Sequence, residues 1–419
     1  MIHVLFYFIA ATLAVYSAAD TAPQSPPVAE LMPVQVPVQL PDPEESITGV
    51  TEEENPEPPA EIIRKADIEF SLLLPFYFDD NFKEDTSEGE AEIDTRSVYA
   101  LQFYEGALLA KDSLSKMGIN LSLPVYDVAY DTLARKVLLL NYHRLKNSDL
   151  VIAGFSPFQC EEALSEAERL GIKFALTQYG NSAQIYQRPK TILMSSPPFM
   201  QCRLMSHYLA NRFPQSDYFI FSRMERRENE LADIFRNVLD SLLPGAKIRV
   251  ADDEEFRYPE IFSRVDTLRP NHLVIPSSDE SYVSSILNRI DTLNIPFHIT
   301  GLPTWENFET IRLGKFRNLR VIIFSSTWLN DHSEKNKNFR KIFIEKYKTD
   351  AQFPAYHAFN FCLTAARVIA ADEKLFPDIL PEAFIDSDVF RFIQMDNGGF
   401  ENIHIEVLQY NGFELTKAE

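Results

Sequence analysis

Short apolar runs alternate with amphipathic helical patterns along most of this chain. The first run, IEFSLLLPF, begins at Ile68 and contains the three consecutive leucines 72–74. A helical pattern follows, with apolar residues every three or four positions at Val98, Leu101, Tyr104 and Leu108. Strands that are apolar on both faces are typical of a parallel sheet covered by helices. We therefore predict a strand and its crossover helix between Ile68 and Lys116.

The same alternation continues to about Leu293, and it contains an internal similarity. The stretches LVIAGFSPF, from Leu150, and HLVIPSSDE, from His272, are both short apolar strands that stop at small or hydroxyl residues before a helix. The two halves therefore look like two copies of one arrangement. In open α/β sheets, ligands bind in the loops beyond the carboxyl ends of the strands.

The C-terminal part of the chain departs from this alternation. Two helical patterns, at about 334–347 and 353–371, follow each other without an apolar strand between them. Two strand-like runs, VFRFIQM and HIEVLQY, are then separated by a turn containing Gly398 and Gly399. We predict that this tail is an antiparallel ribbon that returns across the fold.

Length and charge narrow the possible architectures and partners. The chain has 419 residues, which exceeds one typical core and indicates two domains or lobes. Its formal net charge of −21 argues against nucleic acid and against an anionic membrane surface as partners, because both would repel the protein.

The N-terminal segment is interpreted as a targeting signal followed by a linker. Residues 1–19 contain the apolar stretch HVLFYFIAATLAVY and end in small residues, which predicts a secretory signal cut before Asp20. This segment has no Lys or Arg, so an uncleaved anchor is the alternative. Residues 20–65 are rich in Pro and Glu, a composition typical of a disordered linker. The linker is either a spacer or a tolerated tail.

Motifs for catalysis or metal binding are missing from the sequence. There is no G-x-G-x-x-G, no G-x-x-x-x-G-K and no complete G-x-S-x-G. The histidines are isolated, and Cys160, Cys202 and Cys362 have no metal spacing; we interpret the cysteines as buried free thiols. We expect no enzyme activity, no cofactor and no metal site.

Several stretches together resemble a known family. LLLPF, ALQFYEGALLAKDSL, DLVIAG, HLVIPSSDESYVSSILNRI and NGGFENIHIEVLQYNGFEL are similar to type I periplasmic solute-binding proteins, in the branch of the branched-chain amino-acid receptors. More narrowly, they resemble the binding domains that accompany LysM repeats in envelope proteins. The resemblance covers about residues 66–415, and this chain has no LysM repeat.

The resemblance implies an α/β fold of two doubly wound parallel-sheet lobes joined by three crossings. Carried over to this chain, lobe 1 comprises residues 66–188 and 329–388. Lobe 2 comprises residues 189–328 and 389–419. The ligand is expected in the cleft between the lobes, and the helix pair at 334–371 is expected to cover the sheet of lobe 1.

Candidate ligand-binding residues come from predicted strand ends and from this resemblance. Amino-acid receptors of the family hold the ligand carboxylate with hydroxyls in the turns after the third and fourth strands. The first turn here reads GFSPFQ and the second LTQYGNS, so Phe158, Gln159 and Gln178 occupy positions where small hydroxyl residues are expected. Ser156 is either an anion donor or a plain helix cap. The full candidate set is Phe76, Tyr77, Ser156, Phe158, Gln159, Thr177, Gln178, Tyr179, Arg223, Ser277 and Trp305.

These observations predict a secreted, non-enzymatic solute-binding protein of the periplasm or cell envelope. The expected ligand is a small molecule such as a peptide, an amino-acid derivative or a cell-wall fragment, and an envelope protein or a transporter is a further candidate partner. The alternative is a protein of the same fold without a ligand, which serves as an interaction or assembly module on a flexible tether.

Overall fold

The computed structural model describes most of the chain after residue 62. The described residues are 63–81, 93–129, 133–154, 157–177, 191–223, 225–251, 265, 270–292, 297–309, 319–396, 398–411 and 414–418. Residues 63–419 form one compact unit, separate from residues 1–62. The expected signal segment and nearly all of the expected linker therefore lie outside the described residues.

The first sheet has a core of five parallel strands in the order β2-β1-β4-β5-β6. Its strands are β1 (Asp67–Leu74), β2 (Asn120–Ser122), β3 (Val125–Asp127), β4 (Leu150–Ala153), β5 (Phe174–Leu176), β6 (Thr191–Leu193), β12 (Phe392–Gln394) and β13 (Phe400–Asn402). β2 and β3 pair in succession along β1 and are interrupted at Pro124, which has no N–H group to donate. β13 adds parallel to β6, and β12 pairs antiparallel with β13.

The second sheet repeats this order as β8-β7-β9-β10-β11. Its strands are β7 (Asp217–Phe221), β8 (Ile248–Ala251), β9 (Asn271–Ile275), β10 (Phe297–Gly301), β11 (Arg320–Ser325), β14 (Glu406–Asn411) and β15 (Glu414–Lys417). The first five are parallel, whereas β14 and β15 form an antiparallel ribbon beside β11. Both sheets thus have the doubly wound order 2-1-3-4-5, and the expected fold class is confirmed.

Helices connect the strands and cover both sheets. Those in the described residues are α1 (Phe78–Asn81), α2 (Val98–Lys116), α3 (Leu133–Leu140), α4 (Tyr142–Leu145), α5 (Pro157–Leu170), α6 (Pro198–Arg212), α7 (Arg226–Leu242), α8 (Glu280–Asp291), α9 (Glu334–Tyr347), α10 (Phe353–Asp372) and α11 (Leu380–Ala383). Short 3₁₀ turns occur at Thr95–Ser97 and Pro303–Asn307.

The core of the first sheet depends on helices from distant parts of the chain. α2 and α10 share a buried cluster with strand residues such as Phe70, Leu72 and Ile192. α9 packs on these helices through Phe339 and Phe343. α10 therefore covers the first sheet, and α9 packs on α2 and α10, although no strand lies between α9 and α10.

The pairing of two segments differs from the expected lobe boundaries. Thr191–Leu193 was expected to open lobe 2, but it is the fifth parallel strand of the first sheet, where Ile192 and Leu193 are buried on opposite faces. β12 and β13 were also expected in lobe 2, but β13 pairs with β6. Only β14 and β15 reach the second sheet. From here on, lobe 1 is the first sheet with its helices, and lobe 2 is the second sheet with its helices, including α6.

Two further observations concern thiols and membrane spans. Cys202 and Cys362 are buried free thiols, as expected, and burial raises the pKa of both. The side chain of Cys160 is outside the described residues.

Within the part of the chain that the structure describes, no helix is long and apolar enough to cross a membrane.

Candidate functional site

The carboxyl edges of the two sheets meet at the three segments that join the lobes. The first crossing, residues 194–197, leaves the carboxyl end of β6, and the second, residues 326–333, leaves the carboxyl end of β11. The third, residues 403–405, leaves β13 and enters β14 at Glu406, which is the register partner of Ser325 at the end of β11. All three crossings therefore connect the edges where doubly wound sheets bind ligands.

Buried hydrogen bonds fasten the crossings to one another. The carbonyl oxygen of Met194 accepts from Asn402 Nδ2 at 2.8 Å and is 3.1 Å from His357 Nε2. The other side of the Asn402 amide, Oδ1, accepts from the backbone N–H groups of Arg391 and His404. Burial lowers the pKa of His357 to about 4, so its ring is neutral at physiological pH.

A second set of bonds joins the first crossing to the second. Gln201, in the first turn of α6, donates from Nε2 to the Ser196 carbonyl at 2.7 Å and to Ser326 Oγ at 3.2 Å. Because Ser196 and Ser326 lie on different crossings, one amide ties two of the three connections. The three crossings, which we call the hinge region, are thus joined to one another by hydrogen bonds.

Tyr77 lies at the carboxyl end of β1 in a conformation that is rare for a residue with a side chain. Its φ is +54°, in the left-handed region, which costs on the order of 1–3 kcal/mol. The Asp127 carboxylate accepts from the N–H groups of Phe76 and Phe78, both at 2.9 Å, and so holds the two flanking residues. The Arg96 guanidinium lies 4.2 Å from the centre of the Tyr77 ring. Phe76 itself is buried.

The carboxyl ends of β4 and β5 form a tight corner around Thr177. Its hydroxyl is buried and has no hydrogen-bond partner among the residues that the structure describes. A Cβ atom added to Gly154 would lie 3.1 Å from Thr177 Oγ1, so a small residue is needed at position 154, beside the Thr177 side chain. The neighbouring hydroxyl of Ser195 is engaged, because it donates to the Thr177 carbonyl at 2.6 Å.

Most of the other lobe 1 candidates lie outside the described residues. Ser156, Gln178 and Tyr179 are in undescribed segments. Phe158 and Gln159 lie in the first turn of α5, but only the backbone of that turn is described. Their roles in binding stay predictions.

Arg223 follows β7 in lobe 2 and is held by carboxylates of its own lobe. Its guanidinium bonds Glu228 at 2.6 Å and Asp279 at 2.7 Å, and it lies 5.1 Å from the centre of the Tyr282 ring. The hydrogen bonds to Glu228 raise the pKa of Arg223. Its charge is therefore already compensated within the protein, which differs from the expected role of meeting a ligand carboxylate.

Ser277 and Trp305 belong to the core of lobe 2. Trp305 is completely buried, and its Nε1 donates to the Ser277 carbonyl at 2.8 Å. The ring packs directly on Gly301, where an added Cβ would lie 2.1 Å from Trp305 Cδ2. Trp305 therefore packs inside the lobe 2 core, which differs from the expectation that it borders an aromatic cleft.

One residue of interest was missed by the sequence analysis. Ser196 is fully buried on the first crossing, and within the described part of the chain its hydroxyl has no hydrogen-bond partner. It precedes Pro197 and Pro198, where α6 begins. That Ser-Pro-Pro sequence at a strand-to-helix junction was the available signal.

Solved structures with the same arrangement are numerous. One, from Rhodospirillum rubrum and assigned to a branched-chain amino acid ABC transporter, has a TM-score of 0.60 at 12% identity, covering 84% of this chain and 99% of that one. A substrate-binding protein from Desulfitobacterium hafniense in complex with Leu has a TM-score of 0.53 at 13% identity, covering 84% and 100%. The chain has the type I periplasmic-binding fold.

The similar structures also include a protein with a different role. The C-domain of LpoA from Haemophilus influenzae, a regulator of PBP1A, has a TM-score of 0.52 at 10% identity, covering 84% of this chain and 100% of that one. No family model and no curated protein matches the sequence. At these identities the likeness establishes the fold alone.

Proposed function

We propose that this protein is a non-enzymatic solute-binding protein of the cell envelope that holds a small ligand between its two lobes. One observation carries the proposal: the carboxyl edges of both sheets meet at three hydrogen-bonded crossings, and this edge contains the buried Thr177 hydroxyl, which has no partner among the described residues. Leaving a buried hydroxyl unpaired costs on the order of 1–3 kcal/mol, and a bound polar group would supply the missing hydrogen bond.

The proposed ligand is a peptide, an amino-acid derivative or a cell-wall fragment. Phe158 and Gln159 stand where amino-acid receptors are expected to have small hydroxyl residues, which argues against a free branched-chain amino acid. Arg223 contributes to the shape of lobe 2, but it does not offer a free charge to a ligand, because Glu228 and Asp279 compensate its charge. Recognition then depends on hydroxyls and backbone groups of the lobe 1 edge.

The second candidate function is an interaction or assembly module without a ligand. Two observations favour it. Side chains of lobe 2 contact one another at the ends of its strands, in the Arg223–Glu228–Asp279 cluster and around the buried Trp305. The fold is also that of the LpoA C-domain, whose role is regulation.

Thermal unfolding of the full chain with a panel of solutes separates the two functions. A ligand that binds only the folded state at a hundredfold excess over Kd stabilises it by about 2.7 kcal/mol. For a protein of this size that raises Tm by about 2 °C or more. We expect a shift with peptides or muropeptides and none with leucine.

Thr177→Val is the matched variant for this experiment. It removes the hydroxyl but preserves the shape of the side chain, so the ligand-free protein should be as stable as the wild type or more stable. The ligand-induced shift should fall. A panel of amino acids, peptides, sugars and muropeptides without any shift would contradict solute binding and favour the interaction module.

A further inference from the structure

The amino edge of the lobe 1 sheet, opposite the edge at which the crossings lie, carries exposed apolar side chains. Leu140 ends α3 and is 74% exposed, and Leu375, in the segment after α10, is 48% exposed. Ile63, before β1, and Met117, before β2, are exposed as well. Large apolar side chains that are exposed on one side of a domain are typical of a protein–protein contact surface.

Hydrogen bonds and ion pairs place the segments that contain the two leucines beside this edge. The carbonyl oxygen of Ala370, near the end of α10, accepts from the backbone N–H of Arg64, which precedes β1. Lys65 bonds two carboxylates, those of Asp149 directly before β4 and of Glu373 directly after α10. The amino end of β1 therefore lies between the segment that follows α3 and the segment that follows α10.

These two segments carry opposite charge. Residues 134–148, which include Leu140, have no Asp or Glu and contain the basic residues Arg135, Lys136, Arg144 and Lys146. Residues 372–382, which include Leu375, contain one basic residue, Lys374, and the acidic residues Asp372, Glu373, Asp378 and Glu382. We call the first segment the basic half and the second the acidic half of the edge.

We infer that this edge of lobe 1 is the contact surface for a second copy of the chain. α3 and α10 pack on opposite faces of the sheet, so the basic and acidic halves lie on either side of the edge. A two-fold rotation brings the basic half of each copy, with Leu140, against the acidic half of the other, with Leu375.

The charge of the whole chain shows why the local pattern matters. Each copy has a formal net charge of −21, so two copies repel one another at a distance. Attraction then has to come from the pairing of the two halves and from the leucines that the contact buries. The crossings lie at the opposite edge of the sheet, so this contact leaves the proposed ligand site accessible and does not depend on a ligand.

Sedimentation equilibrium of the ligand-free full chain tests the contact. We expect a monomer–dimer equilibrium over roughly 1–100 µM, a range of moderate protein–protein affinity. Leu140→Ser should raise the Kd of the dimer about 10-fold or more, because it removes an apolar contact twice in a two-fold pair. Leu242→Ser, at an exposed leucine of α7 in lobe 2, is the control and should leave Kd unchanged. Both side chains are exposed, so both variants should stay folded.

An exchange of two charges tests the pairing of the halves. Lys136→Glu places a negative charge in the basic half, and Asp378→Lys places a positive charge in the acidic half; both side chains are exposed. Each variant alone should dimerise less tightly than the wild type, because like charges then face one another. In an equimolar mixture, one contact of the pair is unaltered and the other has its charges exchanged. The mixture should therefore dimerise more tightly than either variant alone.

Four results would overturn the inference. They are a wild type that stays monomeric over this range, a dimer that Leu140→Ser does not weaken, a dimer that Leu242→Ser weakens equally, and a mixture of the charge variants that is no tighter than either variant alone. Assembly beyond two copies would indicate a head-to-tail contact instead of a two-fold pair, and it would also overturn the inference. Solute binding is measured separately, so its failure is distinguishable from the failure of this contact.

Discussion

At the scale of single residues, Gly301 shows how closely the lobe 2 core is packed. A Cβ atom there would lie 2.1 Å from Trp305 Cδ2, and the Trp305 ring is held by its bond to the Ser277 carbonyl. We predict that Gly301→Ala lowers the free energy of unfolding by about 3 kcal/mol or more, since overpacking has no room to relax. Urea unfolding measures the change. Gly245→Ala, with no atom within 4 Å of the added Cβ, is the control and should be nearly neutral.

Glu401 gives a prediction about pH. Burial raises its pKa from 4.5 to about 7, although the charge of Arg203 acts in the opposite direction, and its Oε1 has no hydrogen-bond partner in the described ranges. Between these two pH values the folded state keeps a proton that the unfolded state has released, so this group makes stability fall as pH rises. A shift of this size corresponds to roughly 3 kcal/mol at most.

Glu401→Gln should therefore gain stability relative to the wild type as the pH is raised. The variant's advantage in urea unfolding should be larger at pH 8 than at pH 5. Glu382→Gln, on an exposed side chain, serves as the control and should show no such trend. A constant difference between Glu401→Gln and the wild type across this range would contradict the raised pKa.

The candidate site was only partly predictable at the residue scale. Thr177 was identified from its place in the turn after the fourth predicted strand, where the family resemblance implies a ligand contact. Arg223 was correctly placed at a strand end, but one of its partners, Asp279, is the N-cap of α8, in the loop that follows β9. Trp305 looked like a loop aromatic because its burial depends on the close approach of Gly301. Such long-range contacts leave no periodic pattern in the sequence.

At the scale of elements, Gly106 sets the distance between α2 and α10. An added Cβ would lie 2.1 Å from the Ala355 carbonyl oxygen, so the two helix backbones are in direct contact. We predict that Gly106→Ala destabilises the protein by about 2 kcal/mol or more, although alanine favours helix formation. Ser115→Ala, on the exposed side of α2, is the matched control. Equal stability of both variants would mean that α10 can move away at little cost.

The positions of helices and strands along the chain were more predictable than the pairing of the strands. The α9 pattern predicted residues 334–347, and the helix has these bounds, because apolar spacing is a local property. The strand at Thr191–Leu193 was recognised as a strand but assigned to the wrong sheet. A short run that is apolar on both faces fits the centre of either sheet equally well, so only tertiary packing decides its neighbours.

At the scale of the whole molecule, the N-terminal segment gives a prediction that needs no ligand. If residues 1–19 are a secretory signal, the exported protein begins at Asp20, and mass spectrometry of the mature chain should show this terminus. Limited proteolysis should then remove residues up to about 60 first, because a chain rich in Pro and Glu cannot form a core. An intact Met1 in exported protein would support the uncleaved anchor.

The three crossings also determine the order in which the chain can assemble. The strands β1–β6 leave the ribosome first, yet α10, which buries Phe361 and Ala365 in the core of lobe 1, follows only after the parallel strands of lobe 2 have been made. Lobe 1 is therefore left with an uncovered apolar face throughout the synthesis of its neighbour. Neither lobe can be obtained by cutting the chain at one point. If the chain is exported as proposed, this late closure keeps it unfolded for a translocation machinery that accepts only unfolded polypeptide.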